Sequence, residues 1–315
     1  MTDQTSRFTT IAAVLASVLS GVLVSVQSRL NGELGLVIEN GSLAALFSFS
    51  SGLLLLGLAM AVSRRARKGF NAVVAGIREG DIPWWSVLGG VGGGLLVLTQ
   101  GLVAGFLGVA LFSVAVVAGQ TFGALAIDTR GLLGSPKIAI GAARIAGAAL
   151  VVVGITTTVS VDSEAGGLSW QFLLPLIAGI GTGFQQALNG SVRRLSHSAL
   201  AATFINFLAG TLVLLVISTL TLPWTTIPQE LPTQWWVYFG GFVGTIFIAI
   251  QTVTVNTIGV LGLGVSLVTG QVLGSIVLDL TLPMGYHPVT VWTIVGAVLT
   301  VAGSALVTLT RRRSV

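Results

Sequence analysis

Polar residues embedded in long apolar runs recur twice along this chain in a fixed register. Gln27, Asn31 and Gly52 return as Gln185, Asn189 and Gly210, each 158 residues later. Trp84-Trp85, Gly89-Gly90, Gln100, Gly108, Gly119-Gln120, Gly123 and Asp128 return as Trp235-Trp236, Gly240-Gly241, Gln251, Gly259, Gly270-Gln271, Gly274 and Asp279, each 151 residues later. Such self-similarity marks an internal repeat. Two copies of one plan must then share a membrane, and in many transporters the surface between such copies is the solute path.

The apolar runs lie near 10–31, 42–63, 84–104, 110–128, 138–159, 170–190, 199–222, 234–256, 260–280 and 288–310. About 20 residues at ~1.5 Å rise cross ~30 Å of hydrocarbon. Continuous apolarity favours helices over the alternating strands of a barrel. Only 8% of residues are charged and mean hydropathy is +0.96, against about 25% charged in soluble domains. A polar head with Arg7 precedes the first run as in a signal peptide, but the run reaches spanning length and no small-residue cleavage site follows. With no cysteine and only His197 and His287, disulfides, thiol chemistry and a Cys or His metal site drop out, and no cofactor is expected.

The net charge of +5 is not a nucleic-acid signal, because 13 of the 15 basic residues sort to one membrane face. They are Arg7, Arg64, Arg65, Arg67, Lys68, Arg78, Arg130, Lys137, Arg193, Arg194, Arg311, Arg312 and Arg313; Arg29 and Arg144 are the exceptions. The positive-inside rule makes that face, and both termini, cytoplasmic. Five spans per copy is an odd number, so the second copy enters the membrane in the opposite sense. The expected fold is an all-α integral membrane protein, ten transmembrane helices arranged as two inverted five-helix repeats. Residues 1–160 form the first, 161–169 an extracytoplasmic linker and 170–315 the second.

A buried amide costs a few kcal/mol unless it finds a partner, on the order of 2–7 by transfer scales, so Gln and Asn inside the runs are the candidates for function. Gln120 and Gln271 fall at mid-span and suit either substrate contact or interhelical bonds worth about 1 kcal/mol. Asn206, equivalent to Ser48, and Gln100 and Gln251 are candidate cavity-lining residues. Gln27 with Asn31, and Gln185 with Asn189, each share a helix face. They lie towards opposite surfaces and read as gates or vestibules, or as C-caps completed by Gly32 and Gly190.

Asp128 and Asp279, at helix ends, are expected to meet headgroup water, Arg130 or Arg144, with proton coupling as the alternative. Arg144 reads as six residues into the fifth span, where alignment places Thr293 in the second copy. It either pairs with Asp128 or recognises a carboxylate or phosphate. With no clearly buried carboxylate opposing it, an anionic or zwitterionic solute is favoured. The glycine clusters at 89–94 and 240–244 lack the Lys-Ser or Lys-Thr of a phosphate loop and read as close helix contacts. The Trp pairs read as interfacial anchors.

Five-span halves, each with Gln-x-x-x-Asn near the end of its first helix and Gly-Gln-x(7)-Asp in its fourth, resemble the drug/metabolite transporter superfamily. Within it the chain is similar to fused, two-repeat members of the YdcZ-like family with the EamA-like fold. The resemblance implies a ten-helix bundle, alternating access, small-solute transport and efflux. It departs from the small multidrug-resistance relatives, which carry a glutamate inside the first helix. Span 10–31 and the sixth span have no carboxylate, which argues against proton-coupled export of hydrophobic cations.

The reading is a multi-pass secondary transporter of the cytoplasmic membrane moving a small polar metabolite, with proton or sodium coupling open. One chain suffices for the pathway, and a dimer is compatible. A channel would show current without saturation. An accessory or scaffold protein gains nothing from mid-membrane amides, and an embedded enzyme would need a nucleophile, base or metal cluster that the spacing does not supply.

Overall fold

The computed structural model describes residues 2–134, 139–162, 170–221, 228, 230–283 and 288–309, and among them every regular element is helical. In order these are α1 (Thr2–Val37), α2 (Gly41–Val62), α3 (Arg64–Glu79), α4 (Gly89–Thr99), α5 (Gly105–Leu107), α6 (Val109–Arg130), α7 (Ala142–Asp162), α8 (Leu173–Ser196), α9 (Ala199–Thr221), α10 (Gly240–Thr281) and α11 (Val291–Leu309). A π-helical stretch, Gln100–Ala104, joins α4 to α5. Among the described residues, seven helical segments are long and apolar enough to cross a membrane: Phe8–Val37, Gly41–Val62, Trp84–Leu107, Val109–Arg130, Ala199–Thr221, Gly262–Thr281 and Val291–Leu309. Ala142–Thr158 and Trp235–Gln251 are shorter apolar helices. α8 is long, but Gln185, Gln186, Asn189 and two arginines make it more polar than these.

α6 occupies the interior. Every residue from Val109 to Gly119 is buried, as expected of a helix apolar all round. α1 buries a polar stripe of Ser17, Ser20, Ser25, Gln27, Ser28 and Asn31. It lies between the two halves of α10. Gln27 Nε2 donates to the Gly240 carbonyl at 3.0 Å and Gln251 Nε2 to Ser20 Oγ at 3.1 Å, so the first half of α10 runs against α1. Gly270 meets Val18 and Gly274 meets Val22, so the second half runs along it. The chain therefore reverses between Gln251 and Gly262, inside a segment whose backbone is helical throughout. In the first copy the matching break is open: Gly108 has φ +81°, which ends α5 and starts α6.

Helices approach to backbone contact where side chains are absent. A Cβ on Gly21 would fall on the Leu267 carbonyl oxygen, and one on Gly179 on that of Val116. Gly147 faces Gly303 while Gly154 faces Gly296, so α7 and α11 run antiparallel. Gly52 abuts Phe207 and Gly210 abuts Phe49, and the two rings stack with centroids 4.8 Å apart.

Three local expectations change. Residues 64–83, between the expected spans 42–63 and 84–104, contain the amphipathic α3. Ser63 caps it through Ala66 N–H at 3.2 Å, and Gly80, φ +85°, ends it. Gly32 and Gly190 are not C-caps, because α1 continues to Val37 and α8 to Ser196. Helix α7 starts at Ala142, so Arg144 sits in its first turn rather than six residues into a span. Of the expected linker, 163–169 lies outside the described residues.

Candidate functional site

Asn31 on α1 joins a buried network with Gln100 and Ser28, although its own Oδ1 has no hydrogen-bond partner among the described residues, and Gln27 is held separately by the Gly240 carbonyl. Asn31 Nδ2 donates to Gln100 Oε1 at 2.7 Å, and Gln100 Nε2 donates to Ser28 Oγ at 3.0 Å. Asn31 and Gln100 are both 0% exposed. The π-helical stretch that begins at Gln100 brings this side chain to α1, and such insertions in α-helices recur at functional sites. Glycine backbones close the same end. Gly35 and Gly41 both touch Gly101, and Gly32 touches Gly105.

The equivalent residues of the second copy make a looser cluster. Gln185 Nε2 and Asn189 Nδ2 both donate to Asn206 Oδ1 at 2.9 Å. Asn206 is buried, whereas Gln185 and Asn189 are only half-buried. The glycine partners match across the copies: Asn31 Oδ1 lies against Gly240 and Asn189 Oδ1 against Gly89, Gln27 against Gly244 and Gln185 against Gly93. The closing glycines do not match. Gly35 and Gly41 correspond to Arg193 and Ala199, and Gly190 has only the tip of Arg194 nearby.

Between these clusters lie the mid-span glutamines. Gln271 is 1% exposed, yet neither Oε1 nor Nε2 has a hydrogen-bond partner among the described residues. Its backbone carbonyl accepts from Ser25 Oγ at 2.6 Å, which fixes its level on α1. Gln120 is half-buried on α6, whose Val114 and Val117 pack against Val272 of α10. Ser113 Oγ, two turns before Gln120 on α6, is likewise buried without a partner. Gln251 is held by Ser20, and so remains apart from the Asn189 cluster.

The two aspartates part company. Asp128 Oδ2 pairs with Arg144 Nη2 at 2.8 Å, both side chains buried, while Arg144 Nε and Nη1 have no hydrogen-bond partner among the described residues. A buried carboxylate therefore does oppose Arg144, and the reason for favouring an anionic solute falls away. Asp279 meets neither arginine expected of it. Its carboxylate accepts from the backbone N–H of Val109 at 3.1 Å and of Ala110 at 2.7 Å, capping α6 just after Gly108. Acidic groups suit that end of a helix, where N–H groups lack intrahelical acceptors.

Sequence reading missed the serines of α1. Their signal is a broken helical stripe of polar residues, Ser17, Ser20, Ser25, Ser28 and Asn31, facing the interior. The four paired tryptophans are exposed on the bundle surface, as anchors require, and Trp236 Nε1 also donates to Glu33 at 3.2 Å.

An all-helical apolar bundle with amides buried in its middle and no group of metal ligands among the described residues defines a polytopic membrane protein built around a polar interior. The profile of the drug/metabolite transporter family described as "Putative inner membrane exporter, YdcZ" matches residues 12–157 and again 170–306, and the chain belongs to that family. No curated protein matches the chain. A solved crystal structure, described only as that of a protein, is similar in fold with a TM-score of 0.52 at 19% identity, covering 96% of this chain and 99% of that one. The chain is thus a membrane-embedded member of an exporter family, with a solute as its substrate.

Proposed function

We propose that this chain exports a small polar solute by alternating access between two inverted five-span halves, with Gln271 at the substrate site. The observation that carries the site is the buried, unpartnered amide of Gln271 at mid-span. An amide left without partners costs about 1–3 kcal/mol, and a passing solute with both a donor and an acceptor offsets that cost. Gln120, its repeat equivalent, completes the site from α6. Because Asp128 neutralises Arg144, the solute class is polar without net charge, zwitterions included.

The family profile matching twice supports a repeat, and the antiparallel pairing of α7 with α11 through Gly147, Gly303, Gly154 and Gly296 supports its inversion. The closed Asn31–Gln100–Ser28 network acts as the extracytoplasmic gate, and Gln185, Asn189 and Asn206 line the cytoplasmic vestibule. The conformation is inward-facing on this reading, with both termini cytoplasmic and one chain sufficient for the path.

The test is a thermal-shift screen of the purified protein against sugars, amino acids, nucleobases, organic acids and amines, followed by counterflow in vesicles for each hit. A ligand that binds only the folded state raises stability by RT ln(1 + [L]/Kd). Hits should lose their shift and their counterflow in Gln271→Leu and weaken in Gln120→Leu. Full binding in both variants overturns the mid-membrane site. Current without saturation would replace the transporter by a channel.

A further inference from the structure

α3 carries four cations in its first turn and a half, Arg64, Arg65, Arg67 and Lys68, and no acidic residue in its first turn. That is the end of a helix where the backbone dipole opposes positive charge. Two of the four are compensated by carbonyls: Arg67 donates to the last carbonyls of α2, at Met60 and Ala61, and Arg65 donates to the His197 carbonyl at 3.2 Å. Arg64 and Lys68, one helical turn apart, have neither an ion pair nor a side-chain hydrogen bond among the described residues. Both line a cleft of about 510 Å³ between α3 and the α8–α9 turn, together with Arg65, Gly69, Ala72, Leu195, Ser196 and His197. No carboxylate lines it among the described residues. The opposite stripe of α3, Ala66, Gly69, Val73 and Gly76, is buried, and Val73 packs with Val192, Ala202 and Ile205 of α8 and α9. The helix that carries these cations is therefore fixed against α8 and α9.

We infer that this cleft binds a phosphate-bearing anion, which supplies the negative charge that Arg64 and Lys68 lack. The cleft falls within the usual range of small-ligand sites, ~300–1,000 Å³, and guanidinium and ammonium groups are the common recognisers of phosphate. Its place at the end of α2, where that span leaves the membrane, gives two sources of the same chemistry: the headgroup of an anionic phospholipid or a soluble phosphate compound. The inference does not depend on the transport reading, since α3 lies apart from the mid-membrane amides.

Melting temperatures of the full chain would be measured in nanodiscs of phosphatidylcholine with and without phosphatidylglycerol, and in detergent with and without inorganic phosphate. The variants are Arg64→Gln/Lys68→Gln, which leaves the Arg65 bond to His197 intact, each single substitution, and Arg78→Gln/Arg130→Gln as a control of equal charge. The wild type should melt higher with at least one probe, and the Arg64/Lys68 variants should lose most of that rise while the control keeps it. A rise with phosphatidylglycerol alone identifies the headgroup, and one with inorganic phosphate as well identifies a soluble ligand. Equal loss in the control means diffuse surface charge and overturns the site. So does a full rise in the Arg64/Lys68 variants, or no rise with either probe. Melting of the variants in phosphatidylcholine alone checks that they fold.

Discussion

At the scale of single residues, a buried polar group reveals its role by how completely it is satisfied. Gln100 and Asn31 bind each other, and Gln251 binds Ser20, so removing one partner strands the other. Gln271 has nothing to strand. Gln271→Leu, of similar volume, should therefore melt no lower than the wild type, with unfolding free energy raised by up to about 1–3 kcal/mol, while losing ligand-induced stabilisation. A marked fall in melting temperature would mean the amide is structural. Arg144 and Asp128 give the opposite expectation. Breaking a buried pair from one side typically costs about 3–5 kcal/mol, so Arg144→Gln or Asp128→Asn should each destabilise strongly. Replacing both by Leu should recover much of the loss, and thermal melting of the four proteins closes the cycle. The residue types and their mid-span depth were legible in the sequence. Which glutamine lacks a partner was not, because pairing depends on which helices become neighbours.

The elements were legible to the extent that hydrophobic runs dictate them. The spans near 42–63, 110–128, 199–222 and 288–310 coincide with α2, α6, α9 and α11 to within a few residues. α3 escaped because its period is amphipathic rather than apolar, so a search for membrane-length runs passes over it, and its charges were read for topology alone. The cap on α6 escaped because it crosses between the copies: Asp279 lies 170 residues from Val109. That cap carries a prediction at this scale. Asp279→Ala leaves two N–H groups at the start of the most enclosed helix without acceptors, and loss of a cap usually costs about 0.5–2 kcal/mol. A drop in melting temperature of that order is expected in Asp279→Ala, and a smaller one in Asp279→Asn, which retains one acceptor oxygen. An unchanged Asp279→Ala would show that water replaces the cap and that the carboxylate is free for another task.

For the whole molecule, the decisive property is the sense in which each copy crosses the membrane. Two residues report it without reference to any ligand. Glu39 and His197 stand 158 residues apart, the register of the first repeat motif, and both are exposed just beyond the first helix of their copies. Both adopt left-handed backbone, at φ 52° and 47°, although neither is glycine. The same local turn is thus built twice, and an inverted repeat must place the two turns on opposite surfaces, whereas a parallel repeat must place them on the same one. The chain has no cysteine, so Glu39→Cys and His197→Cys are clean single-site probes. A membrane-impermeant maleimide applied to intact cells should label Glu39→Cys and leave His197→Cys untouched until the membrane is opened. Labelling of both from outside would make the repeat parallel, remove the argument that one gate closes while its counterpart loosens, and with it the alternating-access reading. Labelling of His197→Cys alone would keep the inversion but reverse its orientation, placing the closed Asn31–Gln100–Ser28 network on the cytoplasmic side.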